Sequence, residues 1–217
     1  MVRRAASEML GTAFLLIAVV GSGIMGERLS GGNVALALLA NSLATGAALV
    51  ALILAFAPVS GAHFNPAVTL AQAMQGGIGW REVPAYLIAQ IFGAFAGVAT
   101  AHAMFSLPLF SVSHHARSGP ALLWSEFVAT FGLLAVIWGC ARSRPSVVAF
   151  AVGAYIAGAY WFTASTSFAN PAVTLARAAS DTFAGIRPAD APAFVVVQIA
   201  AALAAGSLRW LAPAQEL

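Results

Sequence analysis

Asparagine followed by proline opens an identical seven-residue segment twice in this chain, Asn-Pro-Ala-Val-Thr-Leu-Ala, at residues 65–71 and 170–176. Asparagine is a preferred helix cap, and proline is favoured at the first helical position. The pattern therefore predicts a helix at each copy. The first N–H groups of a helix lack intrahelical partners and carry partial positive charge. Each copy can thus offer hydrogen-bond donors to a solute that bears oxygen atoms.

The composition is typical of an integral membrane protein. Hydrophobic residues make up 61% of the chain and charged residues 8%, and the mean hydropathy is +0.89. The net charge is only +3, and the arginines are scattered, which argues against a nucleic-acid partner. The single cysteine, Cys140, excludes an intrachain disulfide and is interpreted as a small core residue.

Two kinds of helix are needed to position the Asn-Pro segments. A helix needs ~20 apolar residues to cross the membrane, and six stretches qualify: 5–26, 33–57, 83–105, 120–141, 146–166 and 190–211. The Asn-Pro segments follow the second and the fifth of these stretches. From Pro66 to Gly76 the chain has room for a helix of roughly 15 Å, which is half the hydrocarbon thickness. We therefore expect two half-helices.

The same order of features occurs in both halves of the chain. A glutamate in the first span, the Asn-Pro segment and a glutamine in the third span recur, and these polar residues are Glu8, Gln90, Glu126 and Gln198. We predict one domain over 1–217, built from repeats at approximately 1–115 and 116–217. Because each repeat has three spans, the second must be inverted, and functional sites in such folds lie near the midplane.

The inverted arrangement brings the two half-helices together at their N-termini. The irregular segments 60–64 and 163–169 are tolerated at that depth only if they are buried in protein or line a wet cavity. The side-chain amides of Asn65 and Asn170 can donate to a passing oxygen. Such a constriction repels cations, disfavours a proton relay and suits neutral solutes that bear oxygen.

The arginines favour an N-terminus on the inner side of the membrane. In this orientation six arginines lie on the inner side, namely Arg3, Arg4, Arg81, Arg142, Arg144 and Arg209. Four lie on the outer side, namely Arg28, Arg117, Arg177 and Arg187.

With its doubled motif, and with Ser-Gly-Ala-His-Phe-Asn-Pro-Ala-Val-Thr at 60–69, the chain resembles the major intrinsic proteins, the family of aquaporins and aquaglyceroporins. The resemblance implies an all-α membrane protein with six transmembrane helices and two half-helices in two inverted repeats. It also implies a passive channel rather than an enzyme, without cofactor or metal, assembled in the lipid bilayer as a homotetramer. The implied central constriction comprises Asn65, Pro66, Ala67, Asn170, Pro171 and Ala172.

The family has a second constriction on the outer side, the selectivity filter. Its spacing assigns this filter to Thr45, Gly158, Ser167 and Val173. Water-selective members usually place an aromatic residue, a histidine and an arginine there, and this chain is expected to have neither aromatic residue nor arginine. We therefore expect a wide filter that conducts water and small uncharged solutes such as glycerol, urea or neutral metalloid hydroxides.

Two residues have alternative interpretations at the ends of the pore. Arg177 lies one helical turn beyond Val173, where it either charges the outer vestibule or extends to the membrane interface. His63 either lines the inner pore mouth or bonds to loop carbonyls.

The remaining polar and aromatic residues also have two interpretations each. Glu8 and Glu126, with Gln90 and Gln198, either form a proton relay or brace the irregular backbone before each half-helix. A second set either binds a metal or lies in solvated loops, namely His102, His114 and His115. A third set either packs at an interface or narrows the pore, namely Tyr160, Trp161, Phe162 and Phe168.

Four functional classes follow. A passive channel of the bacterial inner membrane is the leading hypothesis, with a water-selective channel as a variant. A proton-coupled secondary transporter also uses inverted repeats and broken helices. A membrane enzyme lacks a visible nucleophile with a base. A purely structural, junction-like member of the same family is the fourth.

Overall fold

The computed structural model describes residues 1–207, and all regular secondary structure in this part of the chain is helical. The helices in chain order are α1 (Val2–Leu29), α2 (Val34–Ser60), α3 (Pro66–Met74), α4 (Val83–Met104), α5 (Pro120–Ser143), α6 (Val148–Phe162), α7 (Pro171–Arg177) and α8 (Ala191–Gly206). One 3-10 turn, Pro145–Val147, leads into α6. The predicted all-α membrane fold is confirmed.

Five helices are long and apolar enough to cross a membrane: α1, α2, α4, α5, and α6 together with its preceding turn. They coincide with the first five predicted spans. The sixth predicted span, 190–211, coincides with α8 as far as Gly206. Its remaining residues, including Arg209, lie outside the described part of the chain.

Both half-helices begin as their sequences predict. Asn65 and Asn170 are the cap residues, and each side chain accepts a hydrogen bond from the backbone N–H two residues later. Pro66 and Pro171 follow at the first helical position, where no N–H is needed. The helices are short, at 9 and 7 residues, so each extends only part of the way across the bundle.

Glycines permit close helix packing. A Cβ atom at Gly46 would lie 2.8 Å from the carbonyl oxygen of Gly153, and one at Gly153 would lie 2.6 Å from that of Gly46. Helices α2 and α6 therefore approach to backbone contact. Gly93 and Gly97 likewise let α4 approach the backbone of α1, at the carbonyls of Met9 and Ala13. Small residues at such contacts let membrane helices gain dispersion energy without a side chain between them.

The half-helices pack inside the frame formed by the long helices. Both α3 and α7 contact α4 and α8, and they also contact each other. Helix α1 packs on α2 and α4, and α5 packs on α6 and α8. Each half-helix is thus enclosed by helices from both halves of the chain, and this places Asn65 and Asn170 in the interior.

Replacing Gly153 by Ala should destabilise the protein. The added methyl group would meet the Gly46 carbonyl and the Val50 side chain, and overpacking of this kind costs about 1–3 kcal/mol. Thermal unfolding in detergent measures the effect. Gly139→Ala on α5 is the matched control, because nothing lies within 4 Å of its Cβ position. That change should be neutral or stabilising by up to about 1 kcal/mol. Equal shifts in both variants would contradict the close α2–α6 contact.

Candidate functional site

The two cap asparagines cross-link the half-helices. Asn65 Nδ2 donates to the carbonyl of Ala169 at 2.7 Å, and Asn170 Nδ2 donates to the carbonyl of Phe64 at 2.8 Å. Each Oδ1 is occupied by its own helix, at 2.9 and 3.0 Å. The amides therefore cannot flip without losing both interactions. A primary amide has two N–H donors, so each asparagine keeps one donor for a molecule in the lumen.

Glu8 holds the irregular segment before α3. It is fully buried and accepts hydrogen bonds from the backbone N–H groups of His63 and Phe64 at 3.0 and 2.7 Å. Ser60 Oγ and Gln90 Nε2 donate to the same carboxylate at 2.6 and 2.8 Å. Several charge-assisted donors offset the desolvation cost of this buried carboxylate.

Glu126 does the same before α7. It is fully buried and accepts from the backbone N–H groups of Phe168 and Ala169, both at 2.9 Å. Gln198 Nε2 donates to it at 2.6 Å. The bracing geometry of the first half of the chain therefore recurs in the second half.

These carboxylates hold backbone that L-residues rarely adopt. Ala62 and Phe64 have φ values of 51° and 49°, and Ser167 and Ala169 have 51° and 48°. A left-handed non-glycine residue costs about 1–2 kcal/mol, which the hydrogen bonds to the carboxylates compensate. The carbonyl groups of Phe64 and Ala169, in the same two segments, accept from the side chains of Asn170 and Asn65.

A cavity of about 180 Å³ runs past both asparagines. One wall is apolar, built from side chains that recur about once per turn on four long helices: Leu15, Val19, Leu49, Ile53, Leu133, Ile137, Val148, Val152 and Ile156. The opposite wall consists of the segments before the half-helices and their first turns. A solute in this cavity meets hydrogen-bonding groups on one side and hydrocarbon on the other.

Comparison with known proteins gives the same family from sequence and from structure. The model of the major intrinsic protein family matches residues 1–147. Aquaglyceroporin AqpS of Rhizobium meliloti (strain 1021) is 54% identical over 96% of this chain and 90% of its own length. The chain belongs to the major intrinsic protein family. It is therefore related to transmembrane channels.

More distant relatives of this major intrinsic protein agree. Aquaporin NIP1-3 of Oryza sativa subsp. japonica is 35% identical over 78% of the chain, although the match spans only 60% of the rice protein. The X-ray structure of the aquaglyceroporin from Plasmodium falciparum has the same fold, with a TM-score of 0.70 at 21% identity. The structural match covers 96% of this chain and 93% of the Plasmodium falciparum chain. With its long apolar helices and bacterial relative, the chain is a multi-pass integral protein of the bacterial inner-membrane type.

At the predicted filter, three of the four residues border the cavity and one does not. Thr45, Ser167 and Val173 are buried and line it. Gly158 is exposed on the outer face of α6, with Phe162 as its nearest neighbour. The cavity-lining residue of α6 at this level is Tyr160, whose Oη lies 3.3 Å from Thr45 Oγ1.

The structure places Tyr160 rather than Gly158 beside the cavity. Two residues along a helix turn the side chain by about 200°, so Gly158 and Tyr160 point to nearly opposite sides. Counting back from Asn170 across the irregular segment 163–169 reaches the face of α6 that is turned away from the cavity. An aromatic ring therefore lines the cavity next to Thr45, where the sequence analysis expected none.

Arg177 does not extend to the membrane interface. Only 2% of it is exposed, it borders the cavity, and its Nε donates to the carbonyl of Ala184. Its guanidinium carbon lies 3.4 Å from the ring centroid of Phe168. Of the two predicted positions, the vestibule agrees with this geometry.

Arg117 reaches the same ring from the loop before α5. Its guanidinium carbon lies 5.1 Å from the Phe168 centroid, and its Nε donates to the carbonyl of Gly185 at 2.8 Å. Burial lowers the pKa of Arg117, yet an arginine stays charged at neutral pH. Its backbone N–H donates to Asp190, whose own pKa is lowered chiefly by a side-chain hydrogen bond from Arg187.

His63 borders the cavity at its inner end. Its Nδ1 lies 3.1 Å from Thr69 Oγ1, and its ring lies 5.2 Å from that of Tyr86. The side chain therefore contacts a hydroxyl group and a ring rather than loop carbonyls, and it remains beside the lumen.

The side chains of two other histidines are engaged within the protein. His102 is fully buried between the carbonyl of Pro108 and the hydroxyl of Ser180, at 2.7 and 2.8 Å. His114 is bound to Asp181, and its hydrogen bonds lower the pKa of that carboxyl group. Within residues 1–207 no group of three or more His, Cys, Asp or Glu side chains is arranged to hold a metal.

The sequence analysis left the position of Tyr160 open and missed Gln72, and both residues line the cavity. Tyr160 carries a usable signal, because it follows Val152 and Ile156 at four-residue intervals on the lining face of α6. Gln72 lines the inner end and occupies the position in the first motif copy that Arg177 occupies in the second. Extending the alignment of the two motif copies by one residue would have paired Gln72 with Arg177.

Replacing Glu126 by Gln should destabilise the protein and abolish its solute flux. The amide has one acceptor oxygen for the two N–H groups of Phe168 and Ala169, and its own NH2 group opposes one of them. Each hydrogen bond to a charged group contributes about 1.5–3 kcal/mol, so a loss of about 3 kcal/mol is expected in unfolding measurements. Glu27→Gln, at an exposed position, is the control and should change neither property. A Glu126→Gln protein with wild-type stability would refute the bracing role.

Proposed function

We propose that this chain is a passive channel for water and small uncharged solutes of the glycerol class. The observation that carries the proposal is the pair of half-helix N-termini joined through Asn65 and Asn170 beside a cavity. In this proposal the central constriction comprises Asn65, Pro66, Ala67, Asn170, Pro171 and Ala172.

The central constriction favours neutral solutes because two helix N-termini converge there. Each contributes roughly half a positive charge, and each asparagine offers one remaining N–H donor. A cation would lose its hydration in a positive field, which is costly. A water molecule that accepts from both amides turns its hydrogens along the file, so proton transfer through it is interrupted. A neutral solute that bears oxygen has no comparable desolvation cost there.

The filter consists of Thr45, Tyr160, Ser167 and Val173, with Tyr160 in place of the expected Gly158. Three of these residues bring hydroxyl groups and the fourth an isopropyl group. Ser167 Oγ is buried and has no hydrogen-bond partner among the described residues, so it is available to a hydroxyl group in the lumen. Hydroxyls on one side and hydrocarbon on the other match a polyol such as glycerol. Urea and neutral metalloid hydroxides are of similar size and chemistry.

Two comparisons support the glycerol class. The names of the Rhizobium meliloti relative and the Plasmodium falciparum structure both describe an aquaglyceroporin. The first of these shares more than half of its aligned residues with this chain.

The hydrogen bonding of the buried glutamates argues against a proton-coupled transporter. Both carboxylates accept from two backbone N–H groups each. A proton carrier would have to give up these bonds in every cycle and release the backbone before each half-helix. Glu8, Glu126, Gln90 and Gln198 are therefore proposed as structural residues.

The proposed assembly is a homotetramer in the lipid bilayer, with one pore in each subunit and no cofactor. Each subunit is one channel domain of two inverted repeats, approximately 1–115 and 116–217. Native mass spectrometry from detergent is expected to give four copies of the chain. A monomer that retains full solute flux would contradict the tetramer without affecting the pore.

Swelling of proteoliposomes in water, glycerol, urea and larger neutral solutes tests the function. Tyr160→Ala should raise glycerol flux severalfold, because it removes the ring that narrows the filter. Val173→Arg should lower glycerol flux by about tenfold or more, because an arginine fills the lumen and adds charge. Gly158→Leu is the control and should behave as wild type, since Gly158 points away from the cavity.

Three outcomes would contradict parts of the proposal. Water flux with rejection of glycerol would make the protein a water-selective channel. Uphill accumulation driven by a proton gradient would make it a transporter. A change in flux for Gly158→Leu, without one for Tyr160→Ala, would restore Gly158 to the filter.

A further inference from the structure

Two arginines from different parts of the chain converge on one aromatic ring at the predicted outer end of the cavity. Arg177 ends α7, and Arg117 lies in the loop before α5. Their guanidinium carbons are 3.4 and 5.1 Å from the ring centroid of Phe168. Phe168 and Arg177 both border the cavity. Arginine held against an aromatic face keeps its charge and loses side-chain freedom.

The two arginine charges are only partly balanced within the described residues. No ion pair joins Arg117 or Arg177 to a described carboxylate, whereas Arg187 pairs with Asp190 at 2.9 Å. Glu126, the buried carboxylate of this region, acts electrostatically on both arginines, but it is one negative charge against two positive ones. The end of the cavity therefore carries a net positive charge.

Backbone carbonyl groups hold both guanidinium groups in place. Arg177 donates to the carbonyl of Ala184, and Arg117 donates to that of the next residue, Gly185. Arg117 Nη1 also lies 3.4 Å from the carbonyl oxygen of Ser165 and from the Oγ1 atom of Thr166. Neutral acceptors fix the position of a charge without cancelling it. Thr166 precedes the filter residue Ser167, so this cluster adjoins the filter.

The opposite end of the cavity lacks this charge. Gln72 occupies the position that corresponds to Arg177, seven residues after the first motif asparagine, and it lines the cavity. Val173 leaves the filter itself without an arginine. Arg177 lies one helical turn beyond Val173, about 6 Å further along α7. The positive charge of this pore therefore belongs to the vestibule and not to the filter.

We infer that Arg177 and Arg117, held on Phe168, form a cation barrier at this end of the pore, in addition to the one at the half-helix N-termini. The inference rests on the proposed channel function and assigns part of its charge selectivity to two residues outside the four-residue filter. A unit charge ~8 Å from a permeating cation, at an effective dielectric constant of ~20, lowers cation entry by about thirtyfold. Neutral solutes do not experience this barrier. The side chains that select among neutral solutes therefore differ from those that exclude cations.

The test compares sodium influx, chloride influx and glycerol flux in the same proteoliposomes. Arg177→Gln introduces the residue found at the corresponding position 72 and removes the charge with little change in length. It should raise the ratio of sodium to chloride permeability by at least tenfold, while glycerol still permeates. Arg117→Gln should raise the ratio by a smaller factor. Arg177→Lys, which keeps the charge, should stay near wild type.

Arg28→Gln is the matched control. Arg28 lies at the same end of the bundle, against the ring of Phe105 at 5.1 Å, and donates to a backbone carbonyl. Unlike Arg117 and Arg177, it lies against a ring that does not border the cavity, so its loss should leave the permeability ratio unchanged.

Four other outcomes would overturn either the inference or the proposed function. An unchanged ratio in Arg177→Gln with normal glycerol flux overturns the inference, as does an equal rise in sodium and chloride, which indicates removal of a plug. If Arg177→Gln fails to fold, an unchanged ratio in Arg117→Gln overturns it. Absence of glycerol flux in the wild-type protein refutes the proposed function instead, whatever the ion measurements give.

Discussion

The interior of this protein depends on two hydrogen bonds that cross between its halves. Each motif asparagine uses its oxygen to cap its own helix and its nitrogen to bind the carbonyl before the other half-helix. Neither half-helix can shift alone, because its cap residue is tied to the opposite segment. The buried glutamates support the same two segments from behind. This pairing keeps two positive helix ends beside the lumen, although they repel each other.

A lumen with two unlike walls follows from this arrangement. The segments before the half-helices and the two asparagines supply the polar wall, and the long helices supply leucine, isoleucine and valine. A solute that sheds part of its hydration recovers hydrogen bonds on one side only. That exchange is nearly balanced for a molecule with a few hydroxyl groups and a hydrocarbon backbone. It is unfavourable for an ion, whose hydration is far stronger.

The sequence predicted the features that depend on local rules or on repetition. The Asn-Pro caps gave both half-helix starts, and the recurring glutamate and glutamine marked the buried polar residues. It left open whether Tyr160 lines the cavity, because the irregular segment 163–169 breaks the helical count between α6 and Asn170. The sequence also did not predict that Arg177 is buried. Its partners, Phe168 and Ala184, lie on either side of α7 in irregular segments whose path no periodicity fixes.

The two ends of the lumen differ where the physical constraints differ. Asn65 and Asn170 bind each other's segments, so a change in one asparagine disturbs both halves of the chain. Arg177 contacts Phe168 and Ala184, which lie in the same half, so its charge is not tied to the other half in this way. The first copy of the motif can thus carry Gln72 and His63 at its end while the second carries Arg177 and Phe168. The two halves of the chain must therefore have the same geometry around the asparagines. The residues at the two ends of the lumen can differ in charge, because they do not bind each other.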